Sequence, residues 1–267
     1  MEVRIESGID DSISSKVQIF HENTGNGIAL FEKGKFPRIL DSSYDPLLFL
    51  TINCSFLVKD DLSGFFSVIE PFVEFNLSKK IFEMDDLKAN ELKKALITAG
   101  AMSGISVLEL APNDSKREHL DFLKKLGAEA SALPVKENSG SLNLQNFSSK
   151  ANKEFDITFS NSLLHDNSGI EDEAHSNVYR SMELYAVMSN LTKKHGYSIH
   201  CHGAYISSLY ETFFQFIGFK VIDYFRIGSG NHDFGMVMEK INTKKISKEE
   251  FDYLYTEMKK RNPIRFR

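Results

Sequence analysis

The pattern of apolar and polar positions changes character near residue 85 of this 267-residue chain. Before that point, apolar runs at residues 17–20 and 28–31 flank the sequence Asn-Thr-Gly-Asn-Gly, which predicts a β-hairpin. After it, short apolar runs alternate with amphipathic stretches whose apolar residues recur at helical spacing. We therefore predict a small amino-terminal appendage over residues 1–85 and a main α/β domain over residues 86–267.

The regular part of the chain predicts a strand–helix alternation. The predicted strands are residues 105–110, 129–135, 156–160, 197–201, 219–227 and 234–239, and the predicted helices are residues 86–99, 115–126, 177–194 and 206–217. The connection between the last two strands is too short for a crossover, so that pair must be antiparallel. We predict a Rossmann-like open sheet that is mostly parallel and ends in an antiparallel carboxyl-terminal hairpin, with the small appendage attached.

Polar side chains follow two of the predicted strands at the point where each strand ends. The strand at residues 156–160 is followed by a polar segment, and the strand at residues 197–201 ends among histidines. The residues concerned are Asn161, Ser162, His165, Asp166, His200 and His202. Ligand sites of open α/β sheets form outside the carboxyl ends of the strands, so this edge is the predicted rim of an active site.

The overall composition argues against some classes of binding partner. The net charge is −5, from 32 basic and 37 acidic residues, so no broad positive field favours a nucleic-acid backbone. We expect neither a membrane span nor a secretory signal, because no apolar run has the required length or position. Cys54 and Cys201 lie far apart without metal-site spacing and are expected to be free thiols. These features favour a cytoplasmic protein without nucleic-acid or membrane partners.

Three segments resemble class I S-adenosylmethionine-dependent methyltransferases. Residues 155–166, Phe-Asp-Ile-Thr-Phe-Ser-Asn-Ser-Leu-Leu-His-Asp, look like the family's fourth-strand motif, in which Phe-Asp opens the strand and Asn closes it beside the reacting methyl group. Residues 191–196, Leu-Thr-Lys-Lys-His-Gly, resemble the family's passage into strand five, and residues 216–221 resemble the start of its sixth strand. The resemblance covers residues 86–240. It implies S-adenosylmethionine as cofactor and methyl transfer to an oxygen or nitrogen of a small molecule or sugar.

The first loop departs from that family. The family's loop is glycine-rich because the backbone approaches the cofactor closely and its amides bind the cofactor's carboxylate. Residues 108–115 are Leu-Glu-Leu-Ala-Pro-Asn-Asp-Ser, which keeps an acidic and a small residue but has no glycine. The resemblance implies these cofactor contacts: Glu109, Ala111, Asn113, Asp114, Asn161 and Ser162. For Asn113 and Asp114 the alternative is a plain helix N-cap, and for Asn161 it is a strand-ending turn residue.

The predicted catalytic residues are His165, Asp166 and His202. A neutral imidazole can remove the proton of an attacking hydroxyl or amine, while alignment of the reacting atoms supplies most of the acceleration. Alternatively, His165 is a loop histidine satisfied by Asp166, and His202 is packed where its strand meets the next loop. His200 lies deeper and is expected to be a core histidine bonded to backbone. A divalent metal held by the rim is a weaker alternative, and no metal site is predicted.

Two other functions stay open at this point. The glycine-free loop, in which Pro112 lacks a backbone donor, favours a protein that keeps the fold without binding the cofactor and has a structural or regulatory role. The amino-terminal hairpin and residues 224–231 loosely resemble polyamine aminopropyltransferases, although the aspartates expected near Asn161 and Leu164 are absent. For the methyltransferase interpretation we expect a small-molecule substrate, and a homodimer is compatible with it.

Overall fold

An antiparallel three-stranded sheet forms near the start of the chain. The computed structural model describes residues 3–5, 16–20, 28–32, 46–58, 63–72, 74–76, 81–83, 86–111, 117–134, 153–161, 174–202, 208–226 and 234–261. The small sheet contains β1 (Val3–Ile5), β2 (Lys16–Phe20) and β3 (Ile28–Glu32), in that order. Residues of β2 and β3 pair along their whole length, which confirms the predicted hairpin, while its turn at residues 21–27 lies outside the described residues.

Two helices and a short strand pair follow. α1 (Pro46–Val58) begins at a proline, which suits the first helical turn because the missing N–H needs no partner there. α2 (Ser63–Ile69) continues into a 3-10 turn at Glu70–Phe72, and β4 (Glu74–Asn76) then pairs antiparallel with β5 (Ile81–Glu83). No helix in the described part of the chain is both long and apolar enough to cross a membrane.

The remaining elements alternate as the sequence predicts. In chain order they are α3 (Asp86–Thr98), β6 (Ser106–Ala111), α4 (Arg117–Lys125), β7 (Glu129–Pro134), β8 (Phe155–Asn161), α5 (Ala174–Leu191), β9 (Thr192–His202), α6 (Ser208–Phe216), β10 (Phe219–Arg226), β11 (Phe234–Lys240) and α7 (Lys248–Arg261). α5 ends at Leu191 rather than at residue 194, and β9 begins at Thr192 rather than at residue 197. The cause is that Thr192 already pairs with Phe155 of β8.

The carboxyl-terminal helix α7 has no counterpart among the predicted elements. Charged residues dominate its sequence, and the basic residues at its end, 259–261, are interpreted from the sequence as part of a solvated tail. In the structure, Phe251, Tyr255 and Met258 recur at helical spacing and are buried in the core that α5 and α6 also line. The helix is therefore part of the main domain.

Six strands form the main sheet, in the order β10-β11-β9-β8-β6-β7. β7, β6, β8 and β9 are parallel, and β11 lies antiparallel between β9 and β10. The sheet is thus mostly parallel with one antiparallel hairpin, and the predicted Rossmann-like fold is confirmed. The boundary near residue 85 stays a prediction.

Each face of this sheet is covered by its own core. Alternate strand residues such as Val107, Phe159 and Ile199 pack with the apolar residues of α1 to α4. Their neighbours Leu108 and Leu110 pack with α5, α6 and α7 on the opposite face. Burial on both faces is typical of parallel sheets and leaves the strand ends as the places where polar groups reach the surface.

Candidate functional site

The strand order places a switch point between β6 and β8. After β6 the chain adds β7 on one side, and it then returns to add β8 on the other side. Loops that leave a sheet in opposite directions open a crevice at the carboxyl ends of the two strands, where ligands of open α/β folds bind. The candidate site is therefore the edge at which β6 and β8 end.

Three of the predicted site residues end neighbouring strands at this edge. Ala111 closes β6, Asn161 closes β8 and His202 closes β9. Leu110 pairs with Ser160, and the next residue of β8, Asn161, pairs with Cys201 of β9. The backbone thus brings these strand ends together as the sequence predicts, whereas their side chains lie outside the described part of the structure.

Glu109 is a buried carboxylate close to the same edge. Its side chain is 5% exposed, and its Oε1 lies 2.9 Å from Nδ1 of His119. Its Oε2 is buried without a hydrogen-bond partner in the described part of the chain. A buried carboxylate oxygen without a donor costs free energy, so a ligand that supplies an N–H or O–H group would be stabilised there.

His119 is a site residue that the sequence analysis misses. It lies in the first turn of α4, and its side chain is only partly exposed. The signal was present in the spacing, because Glu109 comes near the end of one strand and His119 comes at the start of the next helix. A strand–loop–helix connection returns such residues to the same edge of the sheet.

A hydrogen-bonded set of hydroxyl groups surrounds His200 between β8, β9 and α5. Its imidazole Nδ1 lies 2.7 Å from Oγ of Ser160, and its Nε2 lies 2.9 Å from Oγ of Ser198. The ring of Tyr185 packs edge-on against the imidazole at 4.9 Å. His200 is fully buried, as expected from the sequence, and within the described part of the chain its nitrogens lie against serine hydroxyls rather than backbone groups.

The other predicted site residues lie outside the described residues. These are Asn113, Asp114, Ser162, His165 and Asp166, so their contacts and roles stay predictions. Within the described ranges, no group of three or more His, Cys, Asp or Glu side chains is arranged to hold a metal ion.

No protein-family model and no curated protein matches the chain. Among solved structures, the chain is similar to the Burkholderia thailandensis 1,6-didemethyltoxoflavin-N1-methyltransferase, with 15% identity over 56% of this chain and 76% of that chain. It is also similar to the mitomycin 7-O-methyltransferase MmcR, with 9% identity over 58% of each chain, and to the N-methyltransferase NodS from Bradyrhizobium japonicum WM9, with 9% identity over 59% of this chain and 99% of that chain. All three TM-scores are 0.36. The strand order itself defines the class, a Rossmann-like α/β protein in which the strand next to one edge of the sheet, β11, is antiparallel to its neighbours.

Proposed function

We propose that the protein is an S-adenosylmethionine-dependent methyltransferase that acts on an oxygen or nitrogen of a small molecule or sugar. The observation that carries the proposal is the buried carboxylate of Glu109 beside the switch point, with Oε2 unpaired in the described part of the chain. S-adenosylmethionine carries hydrogen-bond donors in its ammonium group and its ribose hydroxyls. Either donor would satisfy this oxygen, and the ammonium would do so with charge assistance.

The other residues of the edge take roles that follow from their positions. Ala111, Asn113 and Asp114 follow Glu109 along the chain and would line the donor site, together with Asn161 and Ser162 beyond β8. His165, Asp166 and His202 would meet the acceptor, orient its attacking atom and assist the removal of its proton. The bound donor supplies an electrophilic methyl group. The protein's own contribution is to hold the acceptor atom in line with that group and to remove the acceptor's proton.

A non-catalytic role is the second candidate. The specific observation that favours it is the sequence after β6. Pro112 has no backbone N–H to donate to a ligand, and the segment has no glycine that would permit the close approach of one. Such a protein would keep the fold and serve a structural or regulatory partner. Nothing in the comparisons supports the aminopropyltransferase resemblance.

Calorimetric titration separates these candidates. We expect the full-length protein to bind S-adenosylmethionine and S-adenosylhomocysteine, and Glu109→Gln to weaken both at least tenfold because a charge-assisted hydrogen bond is lost. Glu129→Gln is the matched control, since Glu129 is an exposed glutamate on neighbouring β7 and should leave binding unchanged. Absence of binding to either compound would contradict the proposal and favour the non-catalytic role. Binding of decarboxylated S-adenosylmethionine alone would favour alkyl transfer instead.

A further inference from the structure

A continuous ladder of buried polar side chains runs from α5 to the carboxyl edge of the main sheet. Its members, in spatial order, are Thr192, Thr158, Ser198, His200 and Ser160. Each is at most 2% exposed. The successive contacts are 2.9, 2.7, 2.9 and 2.7 Å long, so each step is a hydrogen bond. The ladder ends at Ser160, one residue before the end of β8.

The anchor of the ladder fixes the direction of every bond in it. Thr192 donates its hydroxyl proton to the backbone carbonyl of Met188 at 2.7 Å, and a carbonyl can only accept. Because a hydroxyl has one proton, Thr158 must donate to Thr192, and Ser198 must donate to Thr158. Ser198 then has no proton left for His200, so Nε2 of His200 must carry the proton of that bond.

The opposite direction is disfavoured by the same distances. Ser198 also lies 3.8 Å from the sulfur of Met188, which is a weak acceptor. If Ser198 donated to that sulfur or to Nε2 of His200, the direction of the two threonine bonds would reverse, and only the donation to Nε2 would also move the proton of His200 to Nδ1. The Thr192 hydroxyl and the Met188 carbonyl would then face each other at 2.7 Å without a proton between them. Losing a weak sulfur contact costs less than creating such an oxygen–oxygen repulsion.

The direction of the ladder determines what Ser160 presents at the edge of the sheet. In neutral His200 the proton lies on Nε2, so Nδ1 is an acceptor and takes the hydroxyl proton of Ser160 at 2.7 Å. The oxygen of Ser160 is left with lone pairs for a further donor. Tyr185 packs against the imidazole ring and restricts its rotation.

We propose that Ser160 and His200 form a proton relay for the acceptor substrate, with the tautomer of His200 fixed by the ladder. The proposal rests on the proposed methyl transfer. The acceptor's O–H or N–H gives its proton to Oγ of Ser160 while the proton of Ser160 passes to Nδ1 of His200. The freed electron pair of the acceptor forms the bond to the methyl carbon, and the carbon–sulfur bond breaks with its pair returning to sulfur. His200 is left as an imidazolium and later releases its proton to solvent.

The tautomer is testable without any ligand. In full-length protein with 15N-labelled histidine, long-range proton–nitrogen spectra at neutral pH should show a protonated Nε2 and a bare Nδ1 for His200, assigned by loss of its signals in His200→Gln. Thr158→Val should shift these signals toward a mixture of tautomers, because it cuts the ladder with little change in shape. Thr98→Val is the matched control, since Thr98 donates only to an exposed helical carbonyl. A protonated Nδ1 in the wild-type protein overturns the proposal.

The relay itself is tested by kinetics. Ser160→Ala should lower kcat of methyl transfer about 100-fold while the Kd of S-adenosylhomocysteine stays within twofold, since acid–base assistance contributes at least that factor. A wild-type kcat in Ser160→Ala overturns the relay even if methyl transfer is established. A wild-type protein that binds no donor overturns the proposed function, and the nitrogen spectra still decide the direction of the ladder. Thermal melting of each variant shows whether a lost kcat reflects unfolding, in which case Thr158→Val, with an intermediate fall in kcat expected, replaces Ser160→Ala as the decisive variant.

Discussion

The two edges of the main sheet differ in how completely a carboxylate at each edge is paired. At the edge where the parallel strands begin, Asp156 accepts hydrogen bonds from the backbone N–H and hydroxyl of Ser106 at 2.8 and 2.5 Å, and from Lys193 at 2.7 Å. At the edge where they end, Glu109 holds one oxygen without a donor in the described part of the chain. Paired groups fix the alignment of strands, whereas an unpaired group is available to a ligand. Under the proposed function, stability and ligand binding therefore belong to opposite edges.

A buried lysine belongs to the first edge. Lys240 at the end of β11 is 1% exposed and donates to the carbonyls of Ile217 and Lys244, both at 2.9 Å, and to the hydroxyl of Ser189. It therefore closes the end of α6 with a cation, which is the favourable sign at a helix carboxyl terminus. All three acceptors are neutral groups, and none of them is a carboxylate that would balance the charge of the ammonium.

The largest effect should come from Asp156→Ala. This change removes an acceptor from Ser106 and Lys193 and leaves their donors without it, so we expect the free energy of unfolding to fall by about 3 kcal/mol. Urea denaturation measures it, with Asp121→Ala on the exposed side of α4 as the control that should change little. Donor affinity should stay within twofold in Asp156→Ala, the reverse of Glu109→Gln. A similar loss of affinity in both variants would contradict the division between the edges.

The hydrogen bonds of Asp156 also predict a loss of stability at acid pH. Burial raises the pKa of Asp156, but hydrogen bonds from Lys193 and Ser106 outweigh it and hold the pKa below the ordinary value of 3.8. A carboxyl whose folded pKa is depressed contributes stability that is complete above its unfolded pKa. That contribution is lost as pH falls through the folded pKa, so the stability difference between wild type and Asp156→Ala should shrink below about pH 4.

Lys240 should produce the opposite trend at alkaline pH. Burial, with the positive charges of Lys245 and Lys244, lowers its pKa from 10.5 to about 8. Between these values the unfolded chain binds the proton and the folded protein does not, so the free energy of unfolding should rise with pH, by on the order of 2–3 kcal/mol. The slope between pH 8 and 10 should be smaller in Lys240→Met. Equal slopes in the two proteins would show that the lysine does not titrate there.

Tyr179 sets the upper pH limit for measuring the contribution of Lys240 to the free energy of unfolding. Burial and the hydrogen bond to Asp252 raise the pKa of Tyr179 from 10 to about 12. Above pH 10 the unfolded tyrosine loses its proton before the folded one does, which lowers stability as pH rises. Data above pH 10 would therefore mix two opposing contributions.

The fold was predictable because most strands of the main sheet contain a short apolar run bounded by polar or glycine residues. Runs such as residues 105–110 and 156–160 have one interpretation once helices separate them. The start of β9 was not predictable, because Lys193, Lys194 and His195 carry no strand pattern. The pairing of β9 with β8 begins at Thr192, shifts its register, and resumes at Tyr197. α7 was missed for the related reason that tertiary packing, rather than its charged sequence, holds it in place.

The candidate site was predictable in position but not in its contacts. Ala111, Asn161 and His202 were predicted to lie at one edge of the sheet, because parallel strands end at the same edge. The pairing of Glu109 with His119 and of Ser160 with His200 depends on the relative placement of separate elements. Sequence spacing alone does not determine which side chains of two elements meet.

The smallest effect concerns the irregular segment of β9 between Thr192 and Tyr197. His195 has φ 64°, a left-handed conformation that costs a non-glycine residue about 1–2 kcal/mol. His195→Gly should therefore raise the free energy of unfolding by about 0.5–1 kcal/mol, after the greater freedom of glycine in the unfolded chain is subtracted. The lost contact between His195 and Glu239 is solvent-exposed and worth little.

Gly196→Ala provides the opposing control for this segment of β9. A Cβ at residue 196 would lie 2.8 Å from the carbonyl oxygen of Asp156, which belongs to the backbone and has little room to move. We expect destabilisation from this change, measured in the same urea series as His195→Gly. If His195→Gly also lowered stability, the imidazole would be contributing more than its strained backbone costs. The edge where the strands begin would then contain a functional or structural contact of His195 beyond the one to Glu239, and the separation of the two edges would be less complete.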